Sequence, residues 1–280
     1  MNIGCHCVLF GPAIATDTDG VLGALAESGC KGVELGARFF GIDRHVELKE
    51  ALERHGLMLA GLHTAVPLIQ LLDHPEESLK TMAAAAKSLE DMPVRNIIMT
   101  GNVENRDQII REDARLADAG SVKELAAKVD EIAAQIKDGY GVQIHYHNHS
   151  WEFQNNGLIY RTLLSETEHL LFCLDTGWAA TAGQDPVELI QQNPGRFQYL
   201  HLRDYNRAAV KDAADFKQMQ ERAFTELGEG DMGYQRLAGC VRKAVGAGGW
   251  AVIEYERGEV NALRYVKAVA YLKGVLAGIG

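Results

Sequence analysis

Three histidines at alternate positions, His145, His147 and His149, stand in the stretch VQIHYHNHSWEF over residues 142–153. On a strand, residues two apart share a face. The three imidazoles then line up on one side, where they can bind a metal, carry protons, or satisfy one another in a polar interior. Other residues able to do chemistry interrupt apolar runs elsewhere. They are Glu34 in GVELG, His63 in LMLAGLHTA, Asp175 in LLFCLDT, His201 in FQYLHLRD and Glu254 in WAVIEYE. Such groups are costly to bury unless paired or bound to a cation. Asp, Glu and His together suit a divalent ion such as manganese, zinc, cobalt or magnesium, and no cysteine belongs to the set.

Each residue also has a plainer reading. Asp175 can cap the turn that follows it, although an acid between Leu174 and Thr176 favours ligation. His201 can be a satisfied core histidine, but Arg203 and Asp204 beside it suggest a polar rim. Glu254 can be an ion-pair partner, with Arg257 as the obvious mate. His63 and Glu34 either touch substrate or support the ligands. Trp178 is expected either to wall a pocket against the carbon face of a sugar or simply to pack. Cys5 and Cys7 read as small buried residues.

The elements that position these groups follow from periodicity. Short β-rich runs occupy 3–10, 32–36, 57–65, 96–101, 142–148, 170–176, 197–204 and 250–256, several of them nearly continuous apolar runs as in parallel strands covered by helices. Helical patterns fall between them, over 17–29, 45–56, 76–93, 121–139, 186–193 and 259–278. In 121–139, Ser121 and Glu124 form a capping-box pattern and Gly139 closes the segment. Eight alternations predict a closed (β/α)8 TIM barrel, a single domain over 1–280. The chemistry-bearing residues then gather at the C-terminal ends of the strands. The long stretches 102–120 and 204–232 fall on that same face.

Composition narrows the function. A chain of 280 residues with 47% hydrophobic content can bury a large core, and its net charge of −10 argues against a nucleic-acid partner. No apolar run approaches a membrane span, which needs about 18 residues. The opening MNIGCHCVLFGP lacks signal-peptide character, and five scattered cysteines suggest reduced thiols, so a cytoplasmic location is expected. No glycine-rich phosphate cradle stands out, which favours a non-phosphorylated substrate. The segment 259–278 is a possible contact in a homo-oligomer.

With GVELG (32–36), GLHT (61–64), YHNHSWEF (146–153), LDTGWAATAGQDP (174–186), YLHLRDY (199–205), LGEGDMGY (227–234) and GGWAVIEYE (248–256), the chain resembles the xylose-isomerase-like TIM-barrel superfamily along essentially its whole length. That group holds sugar and sugar-phosphate isomerases and epimerases, inosose dehydratases, hydroxypyruvate isomerases and endonuclease-IV-type enzymes. The resemblance implies one divalent metal (Mn, Mg, Zn or Co), with ligands after strands five to eight. The last three map onto Asp175, His201 and Glu254. Many relatives have Glu–Asn–His where this chain has His147–Asn148–His149, so His147 takes the usual glutamate position, with Glu152 as the alternative.

The expected chemistry is metal-dependent isomerisation or epimerisation of a keto-sugar or related polyol through an enediolate. Glu254 or Glu152 is the base, and His147 is a ligand or proton carrier. His63, Glu34, His149, Trp178 and Arg203 are expected around the substrate. Dehydration of a keto-inositol is the alternative reaction, which an asymmetric His–Glu pair suits at least as well. A non-catalytic sugar-binding barrel is the further alternative. An endonuclease-type activity is opposed by the negative charge.

Overall fold

The structure, a computed structural model, describes residues 1–39 and 44–278. Eight parallel strands close into a barrel: β1 (Asn2–His6), β2 (Gly32–Gly36), β3 (Met58–Pro67), β4 (Asn96–Asn102), β5 (Gln143–His147), β6 (Leu171–Asp175), β7 (Phe197–Leu202) and, last in the chain, β10 (Trp250–Ile253). Each strand pairs with its neighbours in chain order, and β10 closes the ring against β1 and β7. The expected (β/α)8 barrel is the fold. Two further short strands, β8 (Asp204–Tyr205) and β9 (Phe224–Thr225), form an antiparallel ribbon outside it, within the long stretch after β7.

Register brings the polar residues together. Parallel pairing sets His6 beside Glu34, Thr100 beside His147, and Asp175 beside His201. Inside the barrel, below this polar end, Ala60, Ile98, Cys173, Tyr199, Trp250 and Val252 form a small apolar cluster. Gly32 makes room for it: a Cβ there would meet the Met58 carbonyl oxygen at 2.4 Å and the Trp250 ring at 2.8 Å. The larger core lies between the strands and the surrounding helices.

Several boundaries differ from the sequence reading, each for a local reason. The first run stops at His6, because Cys7–Phe10 turns as a short 3-10 helix capped by the His6 imidazole. The expected Ser121 cap is one turn late. The helix is Ala119–Tyr140, capped by Asp118, whose carboxylate accepts from the Ser121 amide at 2.8 Å. Gly139 lies inside that helix, and Gly141 ends it in the left-handed conformation at φ 64°. Helices at Leu68–Asp73, Gln154–Glu166, Arg207–Asp212, Phe216–Arg222 and Tyr234–Val245 join those expected. The one at Gln154–Glu166 carries Asn155, Asn156 and Gly157 at positive φ, so its regular part starts after a turn that reads as a break in sequence. No helix among the described residues is long and apolar enough to cross a membrane.

Candidate active site

The histidine ladder is only partly a strand. β5 ends at His147, while His149 sits in the following loop with its ring stacked flat on Trp151, 3.9 Å between centroids. His145 points into the barrel lower down, its Nε2 3.2 Å from the Asn96 side-chain oxygen. Burial drives its pKa down to about 3, so it stays neutral and structural.

At the C-terminal mouth, His147, Asp175, His201 and Glu254 bring four donor atoms within 4.8 Å of one another. His147 Nε2 lies 3.4 Å from Asp175 Oδ2 and 3.8 Å from Glu254 Oε2, and His201 Nδ1 lies 2.7 Å from the same Glu254 oxygen. All four atoms are buried and none has a hydrogen-bond partner. Four orphaned donors facing one point, two nitrogens and two carboxylate oxygens, fit a divalent cation. The electrostatics agree. Burial opposes charge on His147, yet the neighbouring Asp175 and Glu254 carboxylates outweigh it and raise its pKa. The cluster favours positive charge.

Each donor is held by its element. Asp175 is both a cap and a candidate ligand: Oδ1 accepts from the Trp178 amide at 2.7 Å, which leaves Oδ2 for the cluster. Asn148 fixes the same strand end, accepting from the Asp175 amide and donating to its carbonyl. His201 is oriented from behind by Glu34. An ionised carboxylate only accepts, so the 2.7 Å contact to Glu34 Oε2 places the proton on His201 Nε2 and turns the Nδ1 lone pair to the cluster.

Glu34 is a hub. The Tyr199 hydroxyl donates to Oε2 at 2.7 Å, His63 Nδ1 donates to Oε1 at 3.0 Å, and His6 Nε2 lies 3.1 Å from Oε1. Burial alone would raise its pKa, but His201 and His6 outweigh that and hold it well below the carboxylate range. His6, Glu34, His63 and His201 also lie close enough to hold an ion. Their contacts argue otherwise. Val8 donates its amide to His6 Nδ1 at 2.9 Å, which leaves the proton on the nitrogen facing Glu34, and Thr100 engages His63 Nε2 at 2.9 Å. This second group is satisfied by hydrogen bonds, whereas the first is not.

The structure does not bring Glu152 into the cluster. Its oxygens accept from the Tyr146 hydroxyl at 3.1 Å and the His149 amide at 2.8 Å, and burial lifts its pKa to about 7. The Arg257 expected opposite Glu254 instead donates to Gln220. Glu34, Trp178 and Arg203, expected at the substrate, are buried behind the first layer. Arg203 bonds Glu256 at 3.2 Å and lies 3.8 Å over the Phe224 ring. A cavity of about 800 Å³ opens over the cluster, and His63, His149 and Glu254 border it together with His6 and Glu256. His6 was missed in sequence, although it interrupts the apolar run 3–10 as the others interrupt theirs, and it closes the observed strand β1.

Asp204 organises the mouth from the side. It accepts four backbone amides, from Tyr205, Gly228, Gly230 and Met232, at 2.9 to 3.1 Å. That explains the LGEGDMGY stretch: a Cβ at Gly230 would meet an Asp204 oxygen at 2.4 Å.

The family model for the xylose isomerase-like TIM barrel matches residues 22–275. An inosose dehydratase from Geobacillus kaustophilus is 30% identical over 267 residues, covering 89% of this chain and 83% of its own. A sugar phosphate isomerase/epimerase from Parabacteroides distasonis superposes with a TM-score of 0.72 at 20% identity, over 99% of this chain and 95% of that one. The IOLI protein, solved with a bound zinc atom, superposes at 0.68 and 14% identity, over 100% and 99%. The chain belongs to the xylose isomerase-like TIM barrel family.

Proposed function

We propose that this protein is a divalent-metal-dependent dehydratase of a keto-polyol of the inosose type. His147, Asp175, His201 and Glu254 would hold the metal through the four unpartnered atoms. When bound, such an ion polarises a carbonyl and so acidifies the neighbouring C–H. One observation carries the choice of reaction. Of the four donors, only Glu254 also borders the cavity, and the imidazole of His149 borders it too, while the second carboxylate there, Glu256, is tied up by Arg203 and Gln220. Glu254 takes the proton next to the carbonyl. His149, its ring fixed on Trp151 and kept neutral by burial, offers its unpartnered Nδ1 to relay the proton that Glu254 has removed to the departing hydroxyl, which leaves as water. His63, both ring nitrogens held by Glu34 and Thr100, gives the cavity a fixed wall. The inosose dehydratase relative supports the same reading.

Isomerisation or epimerisation needs a group to return a proton to carbon, and His149 offers one from the same wall. The test is proton NMR of a keto-inositol and of a ketohexose, each incubated in deuterium oxide with Mn2+-supplied protein. Loss of water from the keto-inositol supports the dehydratase. Deuterium entering a recovered ketohexose or its epimer, without water loss, replaces it by the isomerase reading. Stoichiometric sugar binding with neither change supports the binding barrel.

A further inference from the structure

The cavity over the cluster is longer than its catalytic end. Its polar end is bordered by His6, His63, His149 and Glu254, and His149 Nδ1 is buried there without a partner, which marks it as built for a ligand. The same cavity continues along the helix Pro75–Lys87, where its wall changes character to Ile14, Phe39, Ala65, Ala84 and Ala85. Thr81, Ala84, Ala85 and Ser88 fall at helical spacing on the face toward this arm, and their small side chains leave it open. The Arg38 guanidinium lies 4.7 Å over the Phe39 ring. At about 800 Å³ the whole cavity is in the range that takes a drug-sized ligand. A bare polyol placed in the arm would set most of its hydroxyls against alkyl and aromatic walls, with Arg38, Thr81, Lys87 and Ser88 as scattered polar neighbours.

We infer that the substrate is a keto-polyol bearing an apolar substituent, aryl or alkyl, with the ring at the polar end and the substituent in the Phe39–Ala84 arm. This rests on the polyol reading above and adds the chemical class of its tail.

The test uses non-reacting probes, myo-inositol and its mono-O-benzyl ether, titrated by calorimetry into Mn2+-loaded protein. Wild type, Ala84→Trp and Ala84→Ser are compared. Ala84 is exposed on its helix, so the tryptophan fills the arm without entering the core, and a melting curve verifies each fold. The benzyl ether should bind wild type at least about tenfold more tightly than myo-inositol, because the ring leaves water for an apolar wall. Ala84→Trp should abolish that preference with myo-inositol binding unchanged, and Ala84→Ser should keep it. A benzyl ether that binds no more tightly than myo-inositol, or a preference that survives Ala84→Trp, overturns the inference. Turnover of a keto-inositol separates the two claims. Dehydration without a benzyl preference leaves the reaction standing and removes the tail. A benzyl preference without dehydration keeps the arm and removes the reaction.

Discussion

Replacing Glu34 by glutamine keeps the shape of the hub and removes one acceptor oxygen. Two donors face each oxygen: the Tyr199 hydroxyl and His201 Nε2 at Oε2, His63 Nδ1 and His6 Nε2 at Oε1. If the new amide nitrogen faces His201, that ring must accept at Nε2 and carry its proton on Nδ1, the atom aimed at the cluster. If it faces His6, it meets a nitrogen whose proton is fixed by the Val8 amide. The first arrangement blocks a donor outright, and the second leaves Oε2 contacts weakened by loss of the negative charge. Loss of such an orienting carboxylate weakens metal binding about 10- to 100-fold, or about 1.4–2.7 kcal/mol. The assay is calorimetric titration of Mn2+ and Zn2+ into wild type and Glu34→Gln, each stripped of metal and shown to be folded by its melting curve. Affinity within about threefold of wild type in a folded variant would falsify the claim that Glu34 sets the His201 donor.

Other outcomes follow from the same geometry. His147→Ala and Asp175→Asn should each reduce bound divalent metal, measured by plasma mass spectrometry, because each removes an unpartnered donor; Glu152→Gln should leave it unchanged. Glu152 also gives a stability prediction. Its folded pKa is raised from 4.5 to about 7, so the unfolded chain ionises first and stability falls as pH rises through that window, by about 3 kcal/mol. Urea melts from pH 4.5 to 7.5 should show this slope, and Glu152→Gln should flatten it. Asp204→Ala strands four backbone amides and should destabilise by about 3–5 kcal/mol in the same melts, with loss of ordered near-ultraviolet signal from the mouth aromatics.

The barrel was legible because its strands are apolar runs between helical patterns, and their ends carry Asp175, His201 and Glu254 at matching places. Register then did what composition alone cannot, setting Asp175 against His201 and His6 against Glu34. What sequence left open was direction. Glu152 is three residues from His149 and reads as a free carboxylate, but its loop folds it onto the His149 amide and Tyr146. Glu34 and Arg203 carry charge that suggests contact with substrate, yet His201 on a distant strand engages Glu34, and Arg203 is buried with its charge turned to Glu256. His6 hid between two cysteines in a run where packing was the ready explanation. The Asn155–Asn156–Gly157 turn concealed the helix behind it for the same local reason.

The division of the site along the chain has a consequence for assembly. The four cluster donors lie on β5, β6 and β7 and just beyond β10, all in the second half of the sequence, whereas Glu34, which turns His201 toward them, comes from β2. A fragment of the second half therefore carries every donor but not the carboxylate that aims one of them. Cation affinity develops fully only when β2 and β7 face each other across the barrel, so metal uptake reports the assembly of the two halves during folding, a long-range event expected late.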